Sequence, residues 1–168
     1  MITTLEFNLS NPAALGSSVF IPESVDANGV IWGDYTPAES PPNTLTLIPG
    51  DTVRFKVQFK YLGPATSYIL HCALGRQYAG QFDEDSVLNK DFSKSVSKCE
   101  TETTITTTAD ITIPANYGDY FPSRYGWKDA YCKITDPKLV SPIYIDAINI
   151  VSFEPTFSDI KINSFEKV

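Results

Sequence analysis

Residues 52–61 read Thr-Val-Arg-Phe-Lys-Val-Gln-Phe-Lys-Tyr, so Val53, Phe55, Val57, Phe59 and Tyr61 are apolar while every residue between them is polar. Side chains alternate across a β-strand with a period of two, so all five apolar groups share one face and the polar ones the other. The run is a strand with one wet face, and its other face requires an apolar cover. Pro49-Gly50-Asp51 before it and Gly63-Pro64 after it carry turn chemistry, which fixes both ends.

Further strands are predicted over 44–48, 67–74, 77–82, 93–98, 102–113, 127–135 and 143–153, a spacing that suits a two-sheet sandwich. The inward sets are Tyr68, Leu70, Cys72 and Leu74 in one strand and Ile105, Thr107, Ala109, Ile111 and Ile113 in another. Thr104, Thr106, Thr108 and Thr112 fall on the opposite face, where threonine suits an exposed strand. In the last strand Ile143, Ile145 and Ala147 follow one phase and Ile148 and Ile150 the other, which predicts a bulge near Ala147 and Ile148.

The chain divides into three parts. Residues 1–43, interrupted by prolines and glycines, read as an N-terminal arm with short edge strands or a hairpin, and Asp26-Ala27-Asn28-Gly29 marks the hairpin turn. Residues 44–154 form the antiparallel β-sandwich. Residues 155–168 follow a proline and form an extra strand or an assembly arm, with Phe157, Ile160, Ile162 and Phe165 as its apolar contacts.

With 168 residues and 42% hydrophobic content the chain supports one domain with its own core. Its 12% aromatics and twelve prolines, against a single Met, favour strands and turns over helices. A net charge of −7 argues against nucleic acid, whose affinity comes from clustered Lys and Arg. No run approaches the roughly 18 apolar residues of a membrane span, so membrane insertion is not expected. The first residues lack the basic start and apolar core of a signal peptide, which is consistent with cytoplasmic synthesis and virion or surface assembly but leaves the localisation open.

Candidate chemistry is sparse. His71 is the only histidine, and its neighbour Cys72 points to the opposite face of the same strand, so no local dyad forms and a solvent-facing role is expected. Cys72 and Cys132 fall on apolar strand faces and are expected as small buried hydrophobes, a bridge between them being the alternative; Cys99 is the third cysteine. Asp83, Glu84 and Asp85 sit together in a predicted loop, a solvated acidic turn or a Ca²⁺ candidate. No other metal and no cofactor is expected. Tyr117, Tyr120, Phe121, Tyr125 and Trp127 form the densest aromatic segment, suited to capping the sandwich, to a protein contact or to stacking on a glycan. Asn8-Leu9-Ser10 is a lone glycosylation sequon.

The Pro49-Gly50-Asp51-Thr52-Val53 entry, with Tyr61-Leu62-Gly63-Pro64 after the strand, resembles the opening hairpin of immunoglobulin-like modules in prokaryotic surface proteins and phage virions. Gly126 to Ile134, then Ser141-Pro142-Ile143-Tyr144, resembles the last two core strands of such modules, so the likeness spans residues 44–153. It implies an immunoglobulin-like sandwich serving as a spacer, adhesion or assembly unit, and it carries over no catalytic residue. The expected function is a non-enzymatic structural or interaction protein that binds other protein subunits or itself. A carbohydrate-binding module using the aromatic loop 117–127 is the alternative.

Overall fold

The structure, a computed structural model, describes residues 1–11, 19–119 and 121–152. Its strands are β1 (Ile2–Asn8), β2 (Val19–Val25), β3 (Ile31–Thr36), β4 (Ala38–Glu39), β5 (Leu45–Leu47), β6 (Thr52–Gly63), β7 (Thr66–Tyr78), β8 (Gln81–Val96), β9 (Cys99–Thr112), β10 (Gly126–Ile134), β11 (Leu139–Val140) and β12 (Ile143–Ile150). A 3₁₀ turn, Pro122–Arg124, precedes β10. The protein is all-β, with two sheets in a sandwich-like, nearly barrel-shaped arrangement.

The smaller sheet has the order β1-β6-β9. In β6 the odd residues Val53, Phe55, Val57 and Phe59 are buried as the alternation predicts, and Tyr61 packs at their edge. The polar face is tied across the strands: Arg54 donates to both carboxylate oxygens of Asp110, Lys56 reaches Glu6 and Lys60 reaches Glu102. The first residues are built into this sheet. β1 pairs in parallel with β6, Leu5 beside Phe55 and Phe7 beside Val57. Phe7 stacks on Phe55 at 5.4 Å and on Tyr144 of the other sheet at 4.7 Å, which joins the two layers.

The larger sheet runs β3-β2-β8-β7-β10-β12-β4, with β11 on β10 and β5 on β12. Its two ends meet, because β3 passes through Pro37 directly into β4, and β4 pairs with β12. Thr36 Oγ1 donates to the Ser141 carbonyl, and Ile143 N donates to the Pro37 carbonyl, so both sides of the seam are bonded. Pairing with β4 and β5 covers the outer edge of β12, which would otherwise be open to other chains.

Two separate cores result. Leu70, Cys72, Leu74, Leu88, Ala130, Cys132 and Ile148 pack with the β6 face between the sheets, while Val19, Ile21, Ala73, Phe82, Tyr131, Val140 and Ile143 form a second cluster on the other side of β7 and β10. The two phases of β12 are explained by this division. Ile143 and Ile145 serve the second cluster, Ala147, Ile148 and Ile150 the first. The switch falls at Asp146, one residue before the expected bulge, where the backbone takes a positive φ of 52° and the β10–β12 register shifts. Buried Asp129 holds the irregularity by accepting from Asp146 N and Gln77 N.

Three expectations are corrected. The pairing is not purely antiparallel, since β1–β6, β2–β8, β4–β12 and β5–β12 are parallel. The separate strands expected at 67–74 and 77–82 are parts of a hairpin: β7 continues to Tyr78, turns at Ala79 and Gly80, both at positive φ, and β8 returns from Gln81. Residues 83–85 therefore lie on a strand and not in a loop. The turn predicted at Asp26 to Gly29 is present, with Gly29 N donating to Asp26 O and Gly29 at φ 80°. The arm residues Phe157, Ile160, Ile162 and Phe165 lie outside the described residues.

Candidate interaction surface

The aromatic segment does not form a platform. Tyr117 is only 1% exposed and caps the inter-sheet core; its hydroxyl donates to Asp85 Oδ2 at 2.7 Å, with the Arg124 carbonyl 3.1 Å away. Tyr125 meets Tyr117 edge-on at 84°, held there by Gly118, where a Cβ would lie 2.5 Å from the Tyr125 ring. Phe121 is exposed under the Arg124 guanidinium, and Trp127 stands apart at the start of β10 beside Arg76 and Asp146. Tyr120 is outside the described residues.

The three carboxylates of β8 point to separate partners. Asp83 is exposed opposite Arg76, Glu84 bonds His71, and Asp85 receives Tyr117 and lies 3.6 Å from the buried ammonium of Lys128. Burial lowers the pKa of Lys128 and Asp85 opposes that shift. Burial, then Asp85, pushes the Tyr117 phenol up. Among the described residues no three His, Cys, Asp or Glu side chains converge as metal ligands, so Asp83, Glu84 and Asp85 do not make the Ca²⁺ site considered above.

His71 is not solvent-facing. Its side chain is 16% exposed, with Nε2 2.8 Å from Glu84 Oε1 and Nδ1 2.7 Å from Asp91 Oδ1. Two carboxylate acceptors are satisfied together only when both ring nitrogens carry protons, which is the imidazolium. Burial pulls the histidine pKa down, but the hydrogen bonds and charges of Glu84, then Asp91, outweigh it and leave it raised. An imidazolium so held offers no lone pair for a general base. On the other face of β7, Cys72 lies directly opposite Cys132 of β10; both are buried thiols whose pKa burial raises.

The concentration of exposed rings lies elsewhere, on the β2–β3 hairpin and the adjoining β7–β8 turn. Trp32 is 59% exposed, Tyr35 55% and Tyr78 80%, with Val25, Val30 and Ile31 exposed beside them. Phe20, Ile31, Trp32, Tyr35, Gly80 and Gln81 line an open groove of about 500 Å³ without a charged side chain. Its floor is preformed: a Cβ on Gly33 would fall 2.9 Å from the Phe20 ring and 1.9 Å from the Ile21 carbonyl oxygen, so only glycine lets that ring lie across β3. The Trp32 indole is oriented by its N–H donating to Asp26 Oδ2, while Asp26 Oδ1 accepts from Asn28 N and Val30 N in the turn. These bonds, the indole first, hold the Asp26 carboxyl below its usual range. Phe20 and Tyr35 pack at 5.0 Å with planes tilted by 52°.

Sequence reasoning identified this hairpin but not its surface. The available signal was Ile31-Trp32-Gly33-Asp34-Tyr35, three large side chains around a glycine in a strand too short for clear alternation. β3 also ends the hydrogen-bonded order of its sheet, so among the described residues its outer edge carries no strand. No protein-family model matches this sequence, and no curated protein matches it either.

Proposed function

We propose that this chain is a non-enzymatic assembly module that joins protein subunits through the aromatic end of the β2–β3 hairpin. This is the role that immunoglobulin-like modules play in virions and on cell surfaces. The observation that carries the reading is the oriented, exposed Trp32 and Tyr35 beside an uncharged groove. Aromatic anchors fixed before contact lose little freedom on binding and are the residues that dominate protein interfaces. A saccharide platform calls for coplanar exposed rings, whereas Phe20 and Tyr35 are tilted and Tyr117 is buried, so the geometry favours a protein partner.

Sedimentation of the full chain across a concentration series, beside a glycan-binding screen, tests the proposal. Concentration-dependent association with no saccharide retained supports it. A chain that stays monomeric and retains a saccharide, with retention lost in Trp32→Ser, overturns it.

A further inference from the structure

We infer that Cys72 and Cys132 form a disulfide across β7 and β10 when the chain folds in the presence of a low-molecular-weight disulfide, and that the closed sandwich then keeps whichever redox state it folded in. Both are free thiols, fully buried in the inter-sheet core. They stand directly opposite each other on neighbouring antiparallel strands. Ser141 decides which kind of opposition this is. The Cys132 N–H donates to Ser141 Oγ at 3.0 Å and the Cys132 carbonyl accepts from Ser141 N at 3.0 Å, so both backbone groups of Cys132 turn away from β7. In an antiparallel ladder that makes Cys72 and Cys132 a non-hydrogen-bonded pair, the closer kind, whose Cα atoms lie about 4.5 Å apart. A disulfide accepts Cα separations from about 4.4 Å upward, so the bond fits the strand spacing as it stands. The Cys132 thiol meets the Ser141 hydroxyl, and forming the bond requires it to turn to another χ1 well.

The chemistry is thiol–disulfide exchange with a small disulfide such as oxidised glutathione. One cysteine thiolate attacks a sulfur of the oxidant, giving a mixed disulfide and expelling one small thiolate. The second cysteine thiolate attacks the protein sulfur of that mixed disulfide, closes the bond between Cys72 and Cys132 and expels the other small thiolate. Two protein thiols are oxidised, one small disulfide is reduced to two thiols, and these take up the two protons. Each attack needs a thiolate and a path to it. In the folded chain burial pushes both thiols up, and neither residue is open to solvent, so exchange belongs to the chain before β7 and β10 are covered. The same burial shields a finished bond from reductants. Cys99, only half-buried, with its thiol donating to the Ser97 carbonyl, is the cysteine that stays within reach of solvent.

The test uses the full chain carrying Cys99→Ser, which leaves Cys72 and Cys132 as its cysteines. It is refolded from denaturant once with oxidised and reduced glutathione and once with a reductant. The first preparation should lose the two thiol hydrogens in intact mass, yield a peptide linked through Cys72 and Cys132 on digestion, and melt about 5 to 15 °C above the second. Thiols still free for alkylation after the glutathione refolding, or a bridged chain that melts no higher than the reduced one, overturn the bond. The two folded preparations are then exchanged between the media. Each should keep its state at least about 1,000-fold longer than the same chain in denaturant, since core strands open at free energies close to that of global unfolding. Interconversion at comparable rates in the folded and the denatured chain overturns the retention. Should Cys99→Ser disturb folding, the unmodified chain is refolded at low concentration and the linked peptide identifies the pair; a link through Cys99 in place of either partner overturns the inference.

Discussion

Phe55 and Lys56 are adjacent in sequence and opposite in consequence. Phe55 is fully buried against Phe7, so Phe55→Ala is expected to cost about 3 to 5 kcal/mol. Lys56 pairs with Glu6 at a half-exposed surface, where such pairs contribute at most about 1 kcal/mol, so Lys56→Ala should shift a denaturant midpoint little. Equal losses would refute the strand's facing. His71 makes a pH-dependent prediction. Its folded pKa is raised above the unfolded value, so its pairing with Glu84 and Asp91 stabilises fully below about pH 6.5 and fades as pH rises through the folded pKa. The melting temperature of His71→Gln should therefore fall furthest below the parent near pH 5.5 and converge with it in mild alkali. A gap that widens with pH would refute the imidazolium. Tyr131, buried in the second core, has a hydroxyl with no hydrogen-bond partner among the described residues. Replacing it by Phe removes an unsatisfied group and should leave thermal stability equal or higher. These facings follow from local alternation and were legible in sequence at β6, whereas the partners of His71 were not: Asp91 and Glu84 lie 20 and 13 residues away and meet it only through the β7–β8 register.

The β2–β3 hairpin shows what a single absent side chain permits. Gly33→Ala would drive a Cβ against the Ile21 carbonyl and the Phe20 ring, and overpacking of this kind typically costs about 1 to 3 kcal/mol. The expected result is a lower melting temperature together with loss of self-association, since the groove floor and the β2–β3 pairing are disturbed together. Unchanged association would show that the groove does not make the contact. The turn of this hairpin was readable because Asp26 and Gly29 are turn residues by chemistry. The β7–β8 turn was not, because Ala79 occupies a positive φ that sequence assigns to glycine or asparagine, and the strands on either side were read as shorter pieces. The misplacement of Asp83 to Asp85 in a loop follows from that one residue. The parallel pairing of β1 with β6 had no local signature at all, since nothing in either strand encodes a partner fifty residues away.

At the scale of the molecule, a two-sheet all-β architecture was legible from strand count and turn spacing, while the return of the larger sheet upon itself depended on where Pro37 places two very short segments. Inserting two glycines between Pro37 and Ala38 should separate β4 from β12 and speed hydrogen exchange in β2 and β3, leaving protection in β6 and β9 unchanged. Uniformly faster exchange would show that the two cores unfold as one. The larger sheet behaves as a hoop with one narrow joint, and a hoop under load opens where its cross-section is least. Among the described residues, Ala38 and Glu39 alone pair with β12 as a ladder at that joint, against the long rungs joining β7 and β8. The strand that feeds the joint is β3, which also carries Trp32 and Tyr35. A partner gripping those rings would brace the joint from outside, so the assembled protein should bear mechanical strain that springs the lone chain open.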